Sequence, residues 1–176
     1  MLALQRGLPH IHLLVILDRA DAPVTPEQVD RIISAEIPPP TAPRLRKTVL
    51  EKHIHRCTAK CHQGRGVCKN GYPQPESDAT TLDDNCYVKP RRRPIAPDSE
   101  TAEEKAQRYL PAQKGKPALW ATNRDVVPYS PALAVLDAHI NVEICNTIRC
   151  VKYLYDYIFK VSVLADPPPC STCAAG

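Results

Sequence analysis

Nineteen of the 176 residues are proline, about twice ordinary usage, and this constrains the fold more than any other feature. A proline donates no main-chain hydrogen bond and fixes its own φ, so it ends helices and is tolerated in sheets mainly at edges. Long helices and broad sheets are therefore excluded over much of the chain, and long connecting stretches are expected. The hydrophobic fraction of 43% is normal for a globular domain, and the length suits one domain better than two. With one Trp, one Phe and one Met, the core must be largely aliphatic.

Between the prolines the periodicity predicts only a few elements. Residues 10–18 (HIHLLVILD) are apolar and β-branched and read as a buried strand closing at Asp18. Thr25-Pro26-Glu27-Gln28 has the form of a helix start, with a Thr cap, Pro at the first helical position and Gln three residues on. Val29, Ile32 and Ile33 would give that helix an apolar face before Pro38-Pro39-Pro40 ends it. A strand or hairpin is expected between Asn85 and Arg93, and further structure from Trp120 to Val127. His139–Cys145 alternates like a strand, after which Asn146 would cap a helix running to about Val161. Residues 94–117 read as a mobile connector, and residues 163–176 as an unstructured tail.

The net charge of +4 is unevenly placed. Residues 41–70 hold eight Lys/Arg against a single acid, Glu51, a local excess that suits a phosphate backbone. Arg91-Arg92-Arg93, preceded by Lys89, forms a second basic cluster, readable as a phosphate contact, a nuclear localisation signal or a solvated hairpin edge. The apolar run Leu13–Leu17 is too short for a signal peptide, and no stretch has the roughly 20 apolar residues of a membrane span. Eight cysteines are then better explained by a reducing compartment with some thiols on metal than by a disulfide scaffold.

Two small patterns carry chemistry. Strand residues at i and i+2 share a face, so His10 and His12 can offer two imidazoles to one divalent cation. On a helix wheel with Tyr153 at zero, Tyr157 lies at roughly 40° and Lys160 at roughly −20°. Ile148, Val151, Leu154, Tyr155, Ile158 and Phe159 gather on the opposite side. Two phenols and a lysine are thus set apart from the apolar face. A phenol at its ordinary pKa of about 10 is a poor nucleophile, and a cation on the phosphate with a lysine beside the phenolate would activate it.

A third pattern is His55-x-Cys57-x3-Cys61-x6-Cys68. Its density and spacing fit a small structural zinc site within about residues 53–75, with His53 and His62 competing to supply the nitrogen. Lys60, Arg65 and Lys69 on that loop, together with Arg91, Arg92 and Arg93, are the candidate DNA contacts. Cys170 and Cys173 receive no role.

Several strings taken in order, RGLPHIHLL, DRIISAEIP, the His/Cys loop ending in GYPQP, YVKPRRR, VVPYSPAL, AHINVEIC and VKYLYDYIFK, resemble the helicase-like N-terminal region of Helitron transposases, their rolling-circle initiator or HUH endonuclease part. The resemblance spans about residues 5–160. It implies an α+β fold of the HUH/Rep-like kind: an antiparallel sheet with packed helices, the histidine strand central, and an inserted zinc-binding loop, in a domain covering residues 1–162. It implies His10 and His12 as ligands of Mg²⁺ or Mn²⁺, Tyr153 and Tyr157 as nucleophiles with Lys160 beside them, and nicking of single-stranded DNA through a 5′-phosphotyrosine. Gln5 is the residue available as third ligand. The chain departs from the family in beginning almost at the histidine motif, which would leave the sheet incomplete there. Asp156 stands where a basic residue is usual and Val161 where a glycine is, and the helicase domain is absent. The expectation is a single-strand endonuclease, active or degenerate, that is nuclear in a eukaryotic host. The alternatives are a zinc-containing single-stranded DNA-binding module without cleavage, or an inactive remnant.

Overall fold

The computed structural model describes residues 2–5, 8–11, 13, 15–18, 20–62, 67–82, 88–96 and 98–144; at 2–5, 8–11, 60 and 62 it describes the backbone alone. The chain separates into two units, one holding Met1–Ile16 with Cys145–Gly176, the other Leu17–Ile144. Mixed helix and small antiparallel sheets make the described part α+β.

The first unit is described at a hairpin. Strand β1 (Leu2–Gln5) pairs antiparallel with β2 (Leu8–Ile11), in the register Leu2↔Ile11, Ala3↔His10, Leu4↔Pro9 and Gln5↔Leu8. Residues opposite one another share a face and alternate along the strand, so positions 3, 5, 8 and 10 belong to one face of the ladder. The strand expected over residues 10–18 is corrected in its bounds: it ends at Ile11, and residues 15–18 carry no strand. Leu13, Val15, Ile16 and Leu17 are exposed. A run of apolar residues satisfies the strand pattern only when neighbouring strands bind both its edges, and among the described residues β2 has one neighbour, β1. A central histidine strand is therefore not part of the described fold.

In the second unit, α1 (Pro26–Ile32) begins where the sequence predicts. Thr25 Oγ1 accepts from the Gln28 amide and Gln28 Oε1 from the Thr25 amide, a reciprocal cap that satisfies two otherwise orphaned donors. Val29 and Ile33 are buried, but Ile32 is exposed. The helix stops at Ile32, well before the three prolines, because Ile33 turns extended and Ser34 pairs with Tyr129.

Helix α2 (Pro43–Lys52) was not apparent in the sequence. Three apolar residues in ten make a faint stripe, and Arg46 lies on its buried side. Pro43 presets the first turn. Leu45, Val49 and Leu50 then pack into a core with Ile37, Ala121, Val126, Tyr129 and Ala134. Each such side chain withdrawn from water contributes about 2 kcal/mol.

One-turn α3 (Ala59–His62) follows, then a hairpin of β3 (Thr81–Leu82) and β4 (Val88–Lys89), continued by the bridge Ser77↔Arg92. The hairpin expected from Asn85 thus starts earlier; residues 83–87 lie outside the described set. Residues 94–117, expected as a connector, instead carry α4 (Ala102–Ala106), capped reciprocally by Thr101 and Glu104. Strand β5 (Tyr109–Leu110) pairs with β6 (Leu119–Trp120). The strand expected over His139–Cys145 does not form at residues 139–144. There His139 Nδ1 lies 2.5 Å from the Lys52 carbonyl, and the Val142 amide donates to Pro128.

With ladders this short, side chains satisfy the interior carbonyls. Arg46 donates to Pro38 and Glu104, Arg92 to Asn123 and Val126, and Arg108 to Ala121. Glu100 neutralises both Arg46 and Arg108, and its side chain is 5% exposed.

Candidate metal centre

The metal loop starts where α2 ends. His53 caps the helix, and its carbonyl accepts from Val127 at 2.7 Å. Ile54 bridges Val126, and the His55 amide donates to Asp125 at 2.8 Å. This short antiparallel contact fixes His55 against residues 125–127. The Tyr72 ring stacks on the imidazole, with centroids 4.2 Å apart and planes 17° from parallel. The Arg92 guanidinium also lies over the Tyr72 ring, 5.9 Å from its centroid.

Two turns bring the thiols to that imidazole. Thr58 opens α3, its carbonyl accepting from the Cys61 amide and its hydroxyl lying 3.7 Å from Cys61 Sγ. The Lys69 amide then donates to the Cys61 carbonyl at 2.9 Å, which closes the loop and sets Cys68 opposite. Gly71, at φ +73°, turns the chain back so that its amide meets the Cys68 carbonyl; a side chain there would be strained.

The ligand atoms of His55, Cys61 and Cys68 all lie within 4.8 Å of one another. Cys68 Sγ and His55 Nε2 are 3.3 Å apart. A tetrahedral ion bonded at about 2.0 Å to nitrogen and 2.3 Å to sulfur holds its ligand atoms roughly 3.5 Å apart, so the spacing and the donor set fit a metal. Cys57 stands apart from the three-atom group, and Cys68 acts on its ionisation as a near neighbour.

The electrostatics separate the thiols. Burial works against ionising Cys68, yet the amides of Tyr72 and Asn70 and the neighbouring Cys57 and Cys61 thiols outweigh it and hold its pKa below the ordinary thiol value. Cys57 is pushed up to about 11 by burial and by the neighbouring Cys68 and Cys61 thiols. Burial also lowers His55, against the pull of Asp125, which leaves a neutral imidazole of the kind metals bind. No family model matches the chain, and no curated protein matches it.

Of the three histidines competing for the nitrogen position, His55 joins the cluster. His53 is fully buried away from it, with its ring 5.2 Å from Tyr129 and 5.7 Å from His139 and neither nitrogen hydrogen-bonded. The side chain of His62 lies outside the described set.

The basic triplet is occupied within the fold. Arg92 is 6% exposed and donates to two carbonyls. Arg93 binds both oxygens of Glu36, at 2.8 and 2.7 Å, and Arg91 pairs with Asp30 and Glu36. Three guanidiniums expected to face phosphates are thus paired with carbonyls and carboxylates. Lys69 is exposed, while Arg65 and the side chain of Lys60 are outside the described set.

His10 and Gln5 lie on paired strands, on one face by register. His12, Tyr153, Tyr157 and Lys160 are outside the described residues, as is all sequence beyond Ile144. Tyr72, Asp125 and the buried role of Arg92 were missed by sequence reasoning. Only Tyr72, four residues past Cys68, offered a local signal.

Proposed function

We propose that this chain is a single-strand DNA nicking domain of the rolling-circle type, resembling the Helitron initiators, with its His/Cys loop held by structural zinc. The observation that carries the zinc half is the convergence of His55, Cys61 and Cys68. Thiolates with a neutral imidazole favour zinc over magnesium or manganese, which prefer oxygen. Cys57, near enough to Cys68 and Cys61 to shift with their ionisation and spaced in sequence with them, is the fourth ligand we assign, which would close the site against water and make it structural rather than catalytic.

The nicking half rests on the His10/His12 and Tyr153/Tyr157 patterns of the sequence. His10, His12 and Gln5 would hold a divalent Mg²⁺ or Mn²⁺, which would polarise the scissile phosphate. One tyrosine oxygen, Tyr153 or Tyr157, attacks the phosphorus. The bond to the 3′ oxygen breaks, leaving a free 3′-hydroxyl and a 5′-phosphotyrosine, and Lys160 steadies the phenolate. In a eukaryotic host such a domain would work in the nucleus.

The rival reading is single-strand binding without cleavage, and the cluster of His55, Cys61 and Cys68 is common to both readings. A Mn²⁺-dependent, denaturant-stable adduct with labelled single-stranded DNA separates the two. It should vanish in Tyr153→Phe/Tyr157→Phe and in His10→Ala. Retarded DNA without an adduct would leave the binding module. For the zinc, His55→Ala should lose bound metal and His53→Phe keep it, as measured by elemental analysis; the reverse pattern would move the nitrogen ligand to His53.

A further inference from the structure

The single tryptophan of the chain lies in an unexpected place. Trp120 is 53% exposed and Tyr109, opposite it on the β5–β6 hairpin, is 45% exposed. Their rings sit 5.1 Å apart at 49°. Large aromatic side chains are usually well buried, and an aromatic pair left half in water at a hairpin surface is available to a partner. The other face explains nothing of this exposure, since there Leu110 packs on the core.

The register continues beyond the ladder. Tyr109↔Trp120, Leu110↔Leu119 and the bridge Gln113↔Lys116 keep one alignment. By alternation, positions 109, 111 and 113 share a face with 116, 118 and 120. That face runs from two aromatic rings, over Pro111 and Ala118, to Gln113 and Lys116. Exposed Lys114 and Gly115, the latter at φ +76° and in open space, form the turn. No acid occurs between Tyr109 and Trp120. Four residues at about 3.4 Å each set the rings roughly 13 Å from the lysine end.

The hairpin is also firmly mounted. The Arg56 guanidinium donates to the carbonyls of Pro111 and Pro117. At the base, Arg108 and Ala121 exchange hydrogen bonds, the Arg108 guanidinium donating to the Ala121 carbonyl and the Ala121 amide to the Arg108 carbonyl. A rigid aromatic platform with cations at one end matches what single-stranded nucleic acid presents, unpaired base faces and a phosphate backbone. Duplex DNA hides the base faces.

We propose that the β5–β6 hairpin is a stacking platform for single-stranded DNA, with bases on Trp120 and Tyr109 and phosphates at Lys116 and Lys114. This rests on the single-strand reading above and locates it on the molecule. Because Trp120 is the only tryptophan, its emission reports stacking directly. The full chain is titrated with oligothymidylate while the anisotropy of a labelled copy of the same oligomer reports binding independently.

The expected result is quenching that saturates together with the anisotropy rise. Trp120→Ala and Tyr109→Ala should each weaken binding about tenfold, with Trp120→Phe largely retaining it. Lys114→Ala/Lys116→Ala should lower the slope of log affinity against log salt by about 1.4. Three results would overturn the platform: an anisotropy rise with unchanged tryptophan emission, full affinity in a folded Trp120→Ala variant, or equal binding of duplex. In each of these the single-strand or general DNA reading is judged separately by the anisotropy. Absence of any anisotropy change would sink both.

Discussion

Arg92 reaches across 31 and 34 residues of chain to the carbonyls of Asn123 and Val126, and it lies over the Tyr72 ring, which in turn stacks on His55. One side chain thus joins the interior to the metal loop. Removing it leaves the Val126 carbonyl unpaired and the Asn123 carbonyl with only the long 3.5 Å bond from the Val126 amide, so Arg92→Ala should cost about 2–4 kcal/mol in urea unfolding. Arg92→Lys should recover only part of it, since an ammonium lacks the planar fork. A merely solvated arginine would show almost no loss in either variant. Glu36 makes the matching acid-side prediction. Burial alone would raise its pKa, but the hydrogen bonds and charges of Arg93 and the charge of Arg91 more than offset this and hold it below the usual value. A carboxyl depressed in the folded state stabilises above its unfolded pKa of about 4.3. That contribution fades as pH falls through the lower folded value. Thermal melts below pH 4.5 should therefore show an acid limb that Glu36→Gln flattens; an unchanged limb would mean other carboxylates dominate.

At the level of elements, helix α4 and the stretch before it matter through Glu100, whose carboxylate lies between Arg46 of α2 and Arg108. Glu100→Ala would strand two largely buried cations and should destabilise by about 3–5 kcal/mol, read from denaturant midpoints. The triple change Arg46→Met/Glu100→Leu/Arg108→Met should recover much of that. This pairing also shows what was legible in the sequence. The start of α1 could be read because Thr25 and Gln28 are three residues apart and the cap is a local bond. The metal spacing could be read for the same reason, His55 and Cys68 lying 13 residues apart. Residues 94–117 looked like a connector because one of the two partners of Glu100, Arg46, lies 54 residues earlier. Helix α2 was hidden by a buried arginine, a residue that breaks a hydropathy pattern while its charge is met from elsewhere. The alternation of His139–Cys145 failed as a strand signal, since a strand needs an edge to pair with.

Over the whole molecule, the described ladders are short and buried arginines tie the interior together, so a metal on His55, Cys61 and Cys68 would add to stability. Among the described residues no helix is long and apolar enough to cross a membrane. Stripping metal with a chelator should lower the melting temperature by about 10 °C if zinc is held at a thousandfold excess over its Kd. Re-addition of zinc, but not of magnesium, should restore it. A melting curve indifferent to chelation would remove zinc from the structure. The geometry also bears on the order in which a growing chain becomes protein. The core closes through pairings such as Tyr129 with Glu36, 93 residues apart, and Asn123 with Ile37, 86 apart. Such contacts must wait until nearly all of the second unit has left the ribosome. The His55–Cys68 loop needs only its own short span. If the site takes metal, a nascent chain would hold Cys61 and Cys68 there with His55, out of reach of oxidation and of one another, long before there is an interior for them to border.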